Sequence, residues 1–281
     1  MQFSFSQTYA DASRAVKERF GPLLGVLGIF LVLQVALTGV MMATTGSSFL
    51  TAATAMPGDP QPSLGIGFWV IYAVTIVVGM AGLAALCVMA SLLRRPSVGD
   101  AIGDGFRSAL SVVGALLVVI VGVAVIVFVI SLVIGGSVAA TNSPGLAFVG
   151  MLIMFAVFAW LFTRLSLTLP IIAVDGERNP FAAMARSWAL TAGNAAKVFF
   201  VWFVFVLALT AIMLLIVFGL AGSLVGGFAA GSAPGIGTMV VALVVYLVLI
   251  VAINLYSSAL TAAVHAQLAG PNAQGYSETF A

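Results

Sequence analysis

Arg164–Asn194, RLSLTLPIIAVDGERNPFAAMARSWALTAGN, connects two apolar segments that are each long enough to cross a bilayer. It carries three of the ten basic residues, Arg164, Arg178 and Arg186. Arg164 is the one charge that falls inside an apolar run. Asn179-Pro180 sets an N-cap ahead of a proline at the first helical position, which predicts a helix start. Phe181, Met184, Ala185, Trp188 and Ala192 then share one helical face, with Arg186, Ser187 and Leu190 turned away. Gly193 supplies a C-terminal cap. A short amphipathic helix that leads into membrane spans is the pattern the rest of the chain follows.

Outward from this stretch the chain is apolar. Of 281 residues, 63% are hydrophobic and 6% are charged. A water-soluble domain carries roughly 25% charged residues, so lipid must solvate most of this chain. Six runs approach or exceed the ~20 residues that cross ~30 Å of hydrocarbon. They are 23–43, 68–93, 109–134, 146–170, 198–221 and 237–263. The fold expected is all-α: a polytopic membrane helix bundle of six transmembrane helices with short cytoplasmic amphipathic interfacial helices. It forms one integral membrane domain over 1–268, followed by a flexible cytoplasmic tail at 269–281.

Charge orients the bundle. The connections 44–67, 135–145 and 222–236 contain no Lys or Arg, and Asp59 is their only charge. Nine of the ten basic residues lie on the other side, and Arg164 is the tenth. That asymmetry is a positive-inside signal. It places both termini in the cytoplasm, as an even number of spans requires.

The amphipathic lead-in recurs. Residues 1–20 read as an interfacial helix, with Ser4 and Gln7 spaced as a capping box. Phe5, Tyr9, Ala12, Val16 and Phe20 fall on one face, and Gln7, Asp11, Arg14, Lys17 and Glu18 on the other. The mixed charges and the length of the following apolar run argue against a cleaved signal peptide. A second lead-in begins at Pro96-Ser97, with Val98, Ile102, Phe106 and Ala109 opposite Asp100, Asp104 and Arg107. The layout suggests three helix-plus-hairpin pseudo-repeats.

The candidate contacts for a lipid or another anion are Arg164, Arg178, Arg186 and Lys197. Arg164 precedes Pro170 by six residues. A continuous helix would hold it ~9 Å inside the boundary, where charge is costly unless it snorkels or finds a partner. No Asp or Glu occurs in any of the six runs. Its partner must therefore be a lipid phosphate, backbone carbonyls, or Asp100, Asp104 or Asp175 folding back. Asp175-Gly176-Glu177-Arg178 reads as a solvated turn. Gln34 and Asn254 could line a polar cavity, although interhelical hydrogen bonding is the commoner use of such residues. The pairs Gly25/Gly28 and Gly79/Gly82 fit close helix contact.

No catalytic constellation is legible. The spans carry no acid, no histidine and no nucleophile–base pair. One cysteine, Cys87, and one histidine, His265, cannot build a His-rich metal site, and His265 reads as an interfacial cap. No metal and no cofactor is implied, and no nucleic-acid partner. The function these residues support is non-enzymatic lipid binding or membrane-lipid handling through the cytoplasmic-side basic interface. The alternative is a transporter or channel component for a small or lipid-like substrate. The partners expected are membrane lipids, with room for a protein partner or a second copy of the chain.

Arg164, Pro170, the turn Asp175-Gly176, Pro180 and the run Arg186-Ser187-Trp188-Ala189-Leu190-Thr191-Ala192-Gly193-Asn194 resemble the bacterial glycerophosphoryl diester phosphodiesterase membrane domain family. Its members are multi-helix integral membrane proteins. The family takes its name from proteins in which this region is fused to a soluble phosphodiesterase domain, a barrel with paired histidines and metal-binding carboxylates. This chain has one histidine, so the resemblance implies the membrane module without the hydrolase. Together with the charge asymmetry it implies the bacterial cytoplasmic (inner) membrane.

Overall fold

The computed structural model describes residues 3–54, 65–141, 143–229 and 236–269. The proposed tail at 269–281 therefore falls almost wholly outside the described residues. Within them the chain is all-α, and six of its helices are long and apolar enough to span a membrane.

Helix α1 (Phe5–Glu18) is the first amphipathic element. Ser4 is its N-cap, but the expected capping box is absent, because the Ser4 side chain makes no cap hydrogen bond. The Ser4 backbone N–H instead donates to Gln267 Oε1 at 3.2 Å. Helix α2 (Phe20–Thr54) begins almost at once and runs past the expected end at 43. No proline occurs in it after Pro22 to stop it, and the next is Pro57. Helix α3 (Ile66–Ala90) returns. Its C-terminal carbonyls are gathered by Arg19, whose Nη1 donates to Met89 O at 2.9 Å and Ser91 O at 2.8 Å. A guanidinium there satisfies orphan carbonyls and complements the negative end of the helix.

Helix α4 (Val98–Ile130) opens with a true capping box, Ser97 with Asp100. The expected second interfacial helix is not separate, because nothing between 98 and 130 breaks the helix. It continues through one π turn (Ser131–Gly135) into α5 (Gly136–Thr141). The helical run Val98–Val138 covers 41 residues, about 60 Å at 1.5 Å per residue. It is therefore longer than the hydrocarbon core is thick, and its charged first turns project beyond it.

Helix α6 (Pro144–Leu165) ends sooner than the sequence suggests. The expected continuous span to Pro170 is broken at Ser166-Leu167, and a short α7 (Thr168–Ala173) follows. Pro170 has no N–H and its ring crowds the carbonyl four residues back, which is Ser166. Helix α8 (Pro180–Leu190) starts where the Asn-Pro signal places it, with Asn179 Oδ1 accepting from Phe181 N at 3.0 Å. Gly193 has φ +79°, a conformation that favours glycine, and turns the chain into α9 (Ala195–Ala229). Helix α10 (Ile236–Ala269) closes the bundle.

Small residues let these helices approach. At the lipid level burial from water does not drive association, so packing and hydrogen bonds must. A Cβ on Gly105 would meet Ala81 O of α3 at 2.5 Å, and one on Gly82 would meet the Phe30 ring at 2.9 Å. Gly79 lies under Gln34. Gly25 and Gly28 face open space instead of a neighbouring helix. The buried core gathers at the basic end, around Ala81–Ala90, Leu167–Val174 and Leu255–Val264. Towards the other end the helices turn apolar side chains outward, as Phe218 (75% exposed) and Leu215 (74%) do on α9. Lipid is the solvent that suits those surfaces. Helix α1 lies across the basic end, with the Tyr9 hydroxyl donating to Val201 O at 2.7 Å and Lys197 Nζ donating to Phe3 O at 3.4 Å. Burial and the neighbouring Tyr256 push the Tyr9 phenol above its ordinary pKa, which keeps it a donor.

Candidate lipid-contact site

The break between α6 and α7 leaves backbone groups that the helix no longer satisfies. Ser187 of α8 takes them up. Its hydroxyl donates to Arg164 O at 2.7 Å and accepts from Leu167 N at 3.2 Å. Ser187 is fully buried, as an exchange of this kind at membrane depth requires. Helical spacing alone puts it on the outward face, because spacing does not reveal that α8 lies against the broken end of α6.

This contact holds Arg164 in the last turn of α6, where a cation suits the helix terminus. The guanidinium stands over two indole rings, 5.3 Å from the centroid of Trp188 and 6.0 Å from that of Trp160. The two rings meet edge to face at 4.8 Å. Its Nη1 makes one long contact to Trp188 O at 3.4 Å, and its Nε is buried without a partner. No carboxylate lies within 4 Å of Arg164 among the described residues. Trp160 is 50% exposed and Trp188 38%, so the cluster opens on the outer surface of the bundle. Tryptophan and arginine together at a helix end are the signature of a membrane–water interface.

The acids considered as partners for Arg164 are occupied elsewhere. Asp100 caps α4. Asp104 lies between Arg94 at 3.6 Å and Arg107 at 3.5 Å. Asp175 Oδ2 lies 3.0 Å from Arg186 Nη2 and 3.3 Å from His265 Nε2. The turn at Asp175 is exposed as expected, but the Asp175 side chain is only 14% exposed and is held by these two contacts. His265 is buried and paired instead of capping an interface. Glu177 keeps the turn role, accepting from Asn179 N at 2.9 Å.

The four basic residues expected to act together are distributed. Arg186 is held by Asp175, and Lys197 reaches the start of α1. Arg178 donates to Arg107 O at 3.4 Å and lines a polar cavity of about 380 Å³ with Arg94, Asp104, Ser108 and Asp175. Sequence spacing does not mark Arg94 and Ser108 as cavity residues, because they come from in and around the second lead-in and only the fold brings them beside the third. Gln34 Nε2 donates to Thr75 O of α3 at 3.0 Å, an interhelical bond. Asn254 Nδ2 donates to Ile250 O of its own helix at 2.8 Å. No group of three or more His, Cys, Asp or Glu side chains comes together among the described residues.

Six apolar helices, small-residue contacts between them and an interfacial Arg-Trp cluster define an integral membrane protein with multiple spans. Residues 138–274 match the family model described as the membrane domain of glycerophosphoryl diester phosphodiesterase, so that this stretch of the chain is similar to that family. The matched stretch holds α6 to α10, and with them Arg164, Ser187, Asp175 and His265. No curated protein and no solved structure matches the chain.

Proposed function

We propose that the chain is a non-enzymatic membrane module that binds or handles anionic lipid at its basic end, with that end and both termini on the cytoplasmic side of a bacterial inner membrane. The observation that carries this reading is Arg164. Its charge has no carboxylate partner among the described residues, it stands over two exposed tryptophans, and its Nε has no hydrogen-bond partner. A phosphate oxygen in the headgroup layer supplies what the guanidinium lacks, and charge-assisted bonds from arginine to phosphate are among the stronger ones. The positive-inside asymmetry supports the orientation. A polar route through Gln34 and Asn254 has less support, since both amides are engaged with backbone carbonyls.

The test is native mass spectrometry of gently extracted protein. The wild type is expected to carry anionic phospholipid, and Arg164→Gln to lose most of it while remaining folded. Equal lipid retention by the two would leave Arg164 a structural role only.

A further inference from the structure

The geometry points to a seat for one phospholipid molecule along α4 and α7, with its phosphate in the polar cavity and one acyl chain between the helices. This inference rests on the lipid-handling reading but uses none of the atoms of the Arg164 cluster.

Two cavities lie end to end. The polar one, about 380 Å³, has Arg94 and Arg178 in its wall. Beside it lies an apolar cavity of about 390 Å³ between α3, α4, α6 and α7. Ile172 lines both. Ser108 in the polar cavity and Val112 in the apolar one are successive turns of α4, so the polarity changes within one helical turn. Along α4 the apolar wall runs from Val112 to Val123, about 16 Å. That is the shape of an amphiphile: a compact charged end joined to an elongated apolar one.

The second observation is Thr168. It lines the apolar cavity, is only 8% exposed, and its hydroxyl is buried with no hydrogen-bond partner. An unmet buried hydroxyl costs about 1–3 kcal/mol, and a ligand oxygen removes that cost. Thr168 precedes by one helical turn Ile172, the residue common to both cavities, and an ester carbonyl of a glycerolipid occupies that level between phosphate and chain. The polar cavity also contains Asp104 and Asp175, but Asp104 already faces two guanidiniums and Asp175 faces Arg186 and His265. Arg178 has no carboxylate within 4 Å among the described residues, so it is the group that receives the phosphate.

The experiment uses the full chain in vesicles of phosphatidylethanolamine and phosphatidylglycerol, doped with a phospholipid of either headgroup carrying a diazirine in one acyl chain. After photolysis, labels should concentrate on the facing walls Val112–Val123 and Phe158–Leu169. Val119→Trp, which fills the cavity, should cut that labelling several-fold, and so should Thr168→Val, which keeps the shape and removes the hydroxyl. Arg178→Gln should cut it several-fold as well, and Arg164→Gln should leave it unchanged. Loss of Arg164-dependent lipid without loss of this labelling, or the reverse, separates the two readings. Labelling spread evenly over the outward surface and indifferent to Val119→Trp and Thr168→Val would overturn the seat. Labelling that ignores Arg178→Gln, with inorganic phosphate protecting Arg178 from a guanidinium reagent, would overturn the headgroup assignment and give the polar cavity to a free anion.

Discussion

The Ser187 hydroxyl donates to the backbone carbonyl of Arg164 at 2.7 Å and, in the same position, accepts from Leu167 N. One buried side chain thus closes a gap in a helix on another element. Ser187→Ala would leave both backbone groups without it, at a cost of about 1–3 kcal/mol. Thermal unfolding in detergent should show a lowered midpoint. Ser137→Ala, which removes only an exposed bond to Val133 O in its own helix, should leave the midpoint nearly unchanged.

Asp175 joins the turn after α7 to α8 through Arg186 and to α10 through His265. Asp175→Asn should lower stability by about 1–3 kcal/mol. The loss is smaller than for a fully buried pair because the Arg186 side chain remains 39% exposed. Glu177→Gln, in the same turn, should have little effect on the unfolding midpoint. Equal effects of the two substitutions would mean that the Asp175 contacts contribute nothing specific.

Gly105 touches the backbone of α3, where an added methyl would meet Ala81 O at 2.5 Å. A backbone atom cannot swing aside, so Gly105→Ala should separate α3 from α4 and cost about 1–3 kcal/mol. Gly103→Ala has open space around the new methyl. It should be neutral or stabilising by up to ~1 kcal/mol, the ordinary gain of alanine over glycine in a helix. Unfolding midpoints of the two variants should therefore move in opposite directions or differ clearly in size.

Arg164→Lys keeps the charge and loses the planar group that stands over Trp160 and Trp188. Lysine is a hydrated point charge without the guanidinium fork. Lipid retention in native mass spectra should fall between that of wild type and that of Arg164→Gln. Full retention would show that charge alone suffices.

Orientation is open to a thiol-labelling scan. Ser143→Cys should react with an impermeant reagent from the periplasmic side, and Glu177→Cys only after the cells are opened. The native Cys87 is fully buried and adds little background. The opposite pattern would invert the bundle.

Composition and run length made the six spans legible, because hydrocarbon thickness constrains length and polarity so strongly. Local signals were legible where they act within a few residues, as at Asn179-Pro180 and Gly193. Long-range pairings were not. The sequence offers no sign that Arg19 gathers the end of α3, that Asp175 meets His265, or that Ser187 mends the α6 break, because each depends on which helices become neighbours. The break itself could have been read from Pro170, whose effect falls four residues upstream. The grouping of the candidate basic residues is set by tertiary structure, which puts Arg178 beside Arg94 and Arg186 beside Asp175.

Helix α1 draws its anchoring bonds from the far end of the chain, at Val201 and Gln267, across separations of 192 and 263 residues. During synthesis it emerges long before α9 and α10, yet its docking surface is complete only once those two helices have been inserted. Until then its apolar face has the membrane surface as its only shelter. Seating of α1 is therefore a late event of assembly, and protection of its backbone amides from exchange would report that the whole bundle has been put together.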